Sequence, residues 1–128
     1  MTDSSPSTPS EHLVYVVNKA GENPELALLP FMHAVGALAM DIQSTVVLMA
    51  NGVWLAKKDY GRHIQFPDKP PLDELITHFL ELGGRLLVCT PCAKARKLEQ
   101  EDLFDGVEFL AAARFAEVAL SANQVISY

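Results

Sequence analysis

The chain has 128 residues, enough for one domain with a sizeable core and no need of disulfide or metal staples. Hydrophobic residues make up 49% and charged residues 20%, an ordinary globular balance that sets aside a fibrous or fully disordered chain. The formal charge is −6 and the ten Lys and Arg form no run longer than Lys57-Lys58, which argues against a nucleic-acid partner, because phosphate binding needs a concentrated basic face.

Residues 1–11 are rich in Ser, Thr, Pro and acid, with no basic start and no apolar stretch. They read as a disordered tail rather than a secretory leader, leaving residues 12–128 as a single domain. The longest apolar stretch, Leu26 to Met40, is interrupted by Pro30 and His33 and closed by Asp41. It falls short of the roughly 20 residues of a membrane span, so no membrane association is expected. The chain is read as cytoplasmic, and there its two cysteines should stay reduced.

Leu13 to Val17 is nearly continuous in β-branched and aromatic residues, the pattern of a strand covered on both faces. A turn through Gly21 leads to a helix capped by Asn23, begun by Pro24 and running to about Asp41. Its apolar recurrence is taken through Leu26, Leu29, Val35, Leu38 and Ile42, and Pro30 should kink it or split it. Thr45 to Ala50 is the second strand, ending at Asn51-Gly52. Val53 to Lys57 is read as one helical turn, followed by a polar loop through Pro67. Leu72 to Leu82 forms an amphipathic helix stopped by Gly83-Gly84. Arg85 to Cys89 is the third strand, expected near the middle of the sheet, with a short helix over Cys92 to Leu98. Gly106 to Leu110, Ala111 to Ala122 and Gln124 to Tyr128 complete the chain as strand, helix and strand. Such alternation implies a parallel sheet with helices on both faces, and chemistry then gathers at the carboxyl ends of the strands.

Three strand ends are therefore the candidate sites: Asn18-Lys19, Asn51-Gly52 and Cys89. In Leu86-Leu87-Val88-Cys89-Thr90-Pro91-Cys92 a thiol sits where strand gives way to helix, with Thr90 as the expected cap and Pro91 as the first helical residue. The positive end of that helix, helped by Lys94, Arg96 and Lys97, should favour thiolate and lower the Cys89 pKa.

An apolar strand ending in Cys89, then Pro91, Cys92 and a basic helix with Arg96, resembles the DsrE/DsrF-like family, which includes TusD. Met49-Ala50-Asn51-Gly52-Val53 after the second strand and the terminal strand Val125-Ile126-Ser127-Tyr128 extend the likeness from Leu13 onward. The resemblance implies a three-layer α/β/α fold with a five-stranded, mainly parallel sheet, assembled as a homotrimer or homohexamer. It also implies a sulfur-relay role, with persulfide sulfur carried on Cys89 between a donor protein and an acceptor protein. Cys92 departs from the single-cysteine pattern of TusD-like subunits; it is the second candidate site residue, whether it resolves a disulfide, assists transfer or only packs.

Other readings stay beside this one. Cys89 and Cys92 also fit a thiol–disulfide redox pair, and the domain could be a non-catalytic oligomeric or small-ligand-binding module. A cysteine at the end of an apolar strand is often a small buried hydrophobe. His12, His33, His63 and His78 lie singly, so no metal site is expected, and no other cofactor is implied. Gly83-Gly84 ends a helix rather than opening one, so no phosphate loop is read. Ser44 and Ser121 lack a histidine-and-acid pattern, which argues against a serine hydrolase. Trp54 is read as a packing residue or a roof over Cys89, and Asp41 and Glu99 to Asp102 as solvated helix ends. The alanine-rich helix, with Arg114 and Glu117 as its main polar groups, should be buried almost all round, which calls for partner subunits.

Overall fold

The computed structural model describes residues 11–128. The tail expected over residues 1–11 lies outside them except for Glu11, whose carbonyl accepts a hydrogen bond from the Gln43 N–H at 2.9 Å. Five strands form the sheet: β1 (His12–Val17), β2 (Gln43–Leu48), β3 (Arg85–Cys89), β4 (Glu108–Leu110) and β5 (Gln124–Ser127). They lie in the order β4-β3-β2-β1-β5, and every pairing is parallel. Four α-helices, α1 (Pro24–Ala39), α2 (Leu72–Glu81), α3 (Thr90–Ala95) and α4 (Ala112–Ser121), make the connections. The first three crossovers each step to the neighbouring strand in one direction. The last returns from one edge of the sheet to the other through α4.

Parallel strands with helices on both faces must be apolar on alternate residues in both directions, and these are. Tyr15, Val17, Val46, Leu48, Leu86 and Val88 pack with Phe31 of α1 and Ile76 and Phe79 of α2. On the opposite face Val14, Val16, Val47, Leu87 and Leu110 meet Val118 and Phe115 of α4. Phe31 and Phe79 join α1 to α2 edge to face, their ring centroids 5.6 Å apart. The carboxyl ends align in register, with Val17 beside Leu48, Leu48 beside Val88, and Cys89 beside Leu110. Among the described residues no helix is long and apolar enough to cross a membrane.

Several expectations are corrected here. β3 lies near the middle of the sheet as expected, an interior strand beside the central β2, but other details differ. β2 begins at Gln43 and ends at Leu48, not Thr45 to Ala50, and the next turn is a 3-10 helix over Ala50–Ala56. Asn23 caps α1 as expected, accepting the Leu26 N–H at 3.1 Å, but Pro30 does not split that helix. The residues α1 buries are Ala27, Leu28, Pro30, Phe31, Ala34 and Ala37; Val35 and Leu38 only flank them, and Leu29 is half-buried away from that core. Because nearly every residue of α1 is apolar, periodicity could not select its inner face. The small residues win, since they let the helix approach the sheet closely.

α2 ends as its glycines require. The Gly84 N–H reaches back to the Phe79 carbonyl and the Gly83 N–H to Leu80, with Gly83 at φ +94° in the left-handed region. The alanine-rich helix α4 departs furthest from its reading. Within a single chain only Val118 is buried, and Leu120 is 87% exposed. Neighbouring β5 is exposed along its whole length, including Val125 and Ile126.

Candidate functional site

Cys89 ends β3 and serves as the N-cap of α3, which places Thr90 and Pro91 in the first two helical positions and Cys92 in the third. The cap is thus one residue earlier than expected, and α3 is a six-residue helix ending at Ala95. Both thiols are free and half-buried. A side chain at the N-cap points toward the N–H of the third helical residue, so this spacing sets the Cys89 thiol beside Cys92. The Cys92 N–H pulls on the Cys89 sulfur without making a full cap hydrogen bond.

The expectation of a lowered Cys89 pKa is overturned. Burial pushes the thiol above its ordinary value, and the adjacent Cys92 thiol adds to the rise. The Cys92 N–H and the Arg96 guanidinium pull the other way and lose. The physical reason lies in the surroundings. A single short helix contributes a weak field, whereas Cys89 borders a pocket of about 200 Å³ walled by Val47, Met49, Pro91, Leu110, Ala112 and Phe115. Cys92 is not part of that wall. It packs with the opposite, larger core, which Cys89 also touches. Cys89 therefore stands at the junction of the two faces of the sheet, between an apolar pocket on the α4 side and Cys92 on the other.

The loops after β1, β2 and β3 are tied together by a polar chain. Arg96, just past α3, donates to the Cys92 carbonyl at 3.0 Å and to Asn51 Oδ1 at 3.0 Å. Asn51 Nδ2 donates to Glu22 Oε2 at 3.2 Å, and Glu22 Oε1 accepts the Ala20 N–H at 2.9 Å. Glu22 is exposed, and although what burial it has works against ionisation, hydrogen bonds from the Ala20 and Glu22 N–H groups and from Asn51 hold its carboxyl below the usual range. Of the expected strand-end residues, Asn51 is thereby linked through Arg96 to the carbonyl of Cys92, while Cys89 feels Arg96 only through its charge. Asn18 and Lys19 are not in this chain, and Asn18 Oδ1 is buried without a partner. Glu22 was missed in the sequence; no local motif marks a turn carboxylate whose partner lies 29 positions away.

Gly52 explains why the Asn51 loop can lie against β1. A Cβ on Gly52 would sit 2.2 Å from the Val17 carbonyl oxygen, which already accepts the Met49 N–H at 3.0 Å. Trp54 stacks on Tyr60 with centroids 5.9 Å apart and takes no part in the Cys89 pocket wall, so its role is packing. A larger groove of about 670 Å³ runs between α3 and the β4 edge, past Thr90, Lys94, Lys97 and Phe109, and holds neither cysteine.

The histidines lie elsewhere. His12 is buried at the far end of the sheet, its Nε2 2.8 Å from Thr45 Oγ1 and its Nδ1 3.5 Å from Ser121 Oγ, a bonded structural residue. His33 meets the Tyr128 hydroxyl, while burial and the neighbouring Tyr15 push Tyr128 up to about 12. His63 and His78 are exposed. Among the described residues no three His, Cys, Asp or Glu side chains gather as metal ligands.

Comparison with known proteins places this arrangement. The model of the DsrE/DsrF-like family matches residues 11–128. An uncharacterised protein of Methanocaldococcus jannaschii is 36% identical over 94 residues, covering 73% of this chain and 78% of its own. An uncharacterised protein of Methanopyrus kandleri is 34% identical over 97 residues, covering 75% and 76%. The ychN protein of E. coli superposes with a TM-score of 0.78 at 20% identity, covering 92% of this chain and 99% of its own. A Methanobacterium thermoautotrophicum protein of unknown function gives 0.70 at 15% identity, covering 93% and 100%. With the family model matched over the whole described domain, and the five-stranded parallel sheet carrying helices on both faces, the chain belongs to the DsrE/DsrF-like family.

Proposed function

We propose that this protein is a sulfur-relay carrier that accepts sulfane sulfur on Cys89 as a persulfide and passes it to an acceptor protein. The single observation carrying the reading is the setting of Cys89: a free thiol at the carboxyl end of an interior strand, opening into an apolar pocket. A thiolate is the group that takes up sulfane sulfur. The outer sulfur of a persulfide is soft and poorly hydrated, so a pocket walled by Met49, Leu110 and Phe115 stabilises it and keeps water away. The raised pKa suits storage rather than opposing it. The resting thiol is neutral and protected, and a thiol of higher pKa is intrinsically the stronger nucleophile once ionised. No cofactor takes part in this scheme.

Native-state alkylation tests the accessibility the scheme needs. Iodoacetamide should modify Cys89 in the folded protein, more slowly at neutral pH than a free cysteine. The rate should climb as pH rises past the ordinary thiol range, because a raised pKa delays thiolate formation. A Cys89 that reacts only after unfolding would make it a core residue and end the carrier reading.

A second reading, a thiol–disulfide redox protein, is favoured by one observation, the Cys92 thiol beside Cys89. It differs in requiring both cysteines.

The working unit is proposed to be a homotrimer or homohexamer in the cytoplasm. Support for an assembly comes from α4 and β5, which leave Leu120, Val125 and Ile126 in water within one chain. Light scattering at micromolar concentration should report three or six chains per particle. A monomer would contradict the assembly.

A further inference from the structure

We infer that Cys92 discharges the persulfide formed on Cys89, releasing hydrosulfide and leaving a Cys89–Cys92 disulfide, so that the site can also act as a sulfide-releasing reductase of sulfane sulfur. This rests on the carrier reading and adds to it an activity within the same chain.

The geometry supplies the argument. Displacement at sulfur needs the attacking thiolate opposite the leaving sulfur, in line with the bond that breaks. The free space around Cys89 is the apolar pocket bounded by Val47, Leu110 and Phe115 on the α4 face, so the outer sulfur lies there. Cys92 is absent from that wall and packs with the core on the other face of the sheet. The inner sulfur, Cys89 Sγ, therefore stands between its persulfide partner and Cys92. As N-cap and third residue of α3, the two cysteines also have the spacing at which a short-range disulfide closes without moving the backbone far. Arg96 holds the Cys92 carbonyl and Asn51 together, which fixes that turn of α3.

The step balances as follows. Cys92 gives its proton to solvent, and its thiolate attacks Cys89 Sγ. The Sγ–Sγ bond forms as the bond from Cys89 Sγ to the outer sulfur breaks. The outer sulfur keeps its proton and takes the bonding pair, departing as hydrosulfide. The sulfane sulfur is thereby reduced and the two cysteines are oxidised by two electrons. A reducing dithiol resets the site by exchange and becomes a disulfide itself. Transfer to an acceptor differs, because there the acceptor attacks the outer sulfur from the pocket side and Cys89 leaves as a thiolate.

The test exposes wild-type protein, Cys92→Ser and Cys92→Ala to inorganic polysulfide, removes the excess without reductant, and follows sulfide release and intact mass. Wild type should release about one sulfide per chain and settle about 2 Da below its dithiol form. Both Cys92 variants should retain an added mass of about 32 Da or a multiple of it and release no sulfide until a dithiol is supplied. A wild-type persulfide as long-lived as that of Cys92→Ser would overturn discharge by Cys92 and leave the carrier reading standing. Absence of sulfur on all three proteins, with no disulfide in wild type, would remove both.

Discussion

Replacing Gly52 with alanine is expected to lower stability by about 3 kcal/mol and the melting temperature by roughly 10 °C. The added methyl has nowhere to go. Its nearest neighbours, at 2.2 Å and 2.9 Å, are the carbonyl oxygen and carbon of Val17, and Asn18 Cα lies at 3.3 Å. These are backbone atoms of a strand paired on both sides, with β2 and β5, so they cannot rotate away as a side-chain tip can. Relief requires pulling the Asn51 loop off the end of β1, which breaks the Met49-to-Val17 hydrogen bond and carries Asn51 away from Arg96 and Glu22. Gly36→Ala provides the opposite sign on the same fold. It lies inside α1 with nothing within 4 Å of the added carbon, and should stabilise by about 0.5–1 kcal/mol through helix propensity. Thermal unfolding of the two variants checks both. If Gly52→Ala melts with wild type, the close approach of the two loops is not a constraint on the fold.

What could be read in the sequence follows from which forces act locally. Leu13 to Val17, Val46 to Leu48 and Leu86 to Val88 are short unbroken apolar runs, and runs of that length rich in β-branched residues are the mark of strands covered on both faces. Asn23-Pro24 and Gly83-Gly84 announce their helix ends because capping is settled within a few residues. The start of β2 was not legible, since Gln43 and Ser44 are polar and enter the strand through pairing with His12 and Leu13. Nor could the full strand order be read: nothing near Gln124 indicates that β5 will lie beside β1 at the edge.

Cys89 itself was legible, because strand, thiol, Thr-Pro and Cys92 occupy seven consecutive residues. Its electrostatics were not. The direction of its pKa is decided by burial against Val47, Leu110 and Phe115, residues drawn from β2, β4 and α4 that meet only in the folded chain. The same holds for Glu22 and Asn51, whose contact is made by two strand-end loops. The exposed outer side of α4 shows the limit of composition. Alanine-rich helices need little space to be buried, yet within a single chain only Val118 of this one is covered.

Cys89→Ser is expected to reduce sulfur uptake to background while leaving the fold in place. Serine differs from cysteine by one atom, and Cys89 is half-buried at a helix cap, where a hydroxyl is accepted and can bond the Cys92 N–H. Stability should therefore change little, and any loss of uptake comes from chemistry. The hydroxyl cannot form a bond to sulfane sulfur under these conditions, and Cys92 cannot substitute, because it lies outside the apolar pocket where the outer sulfur would rest.

The measurement that bears most directly on the account is the intact mass of Cys92→Ser after exposure to inorganic polysulfide, set beside Cys89→Ser treated alike. Removing Cys92 prevents discharge, so any persulfide on Cys89 persists long enough to be weighed. The account predicts a gain of about 32 Da, or a multiple of it, on Cys92→Ser, whose one remaining cysteine is Cys89, reversed by a dithiol and absent from Cys89→Ser. An unchanged mass in folded Cys92→Ser, or an equal gain in Cys89→Ser, would contradict it.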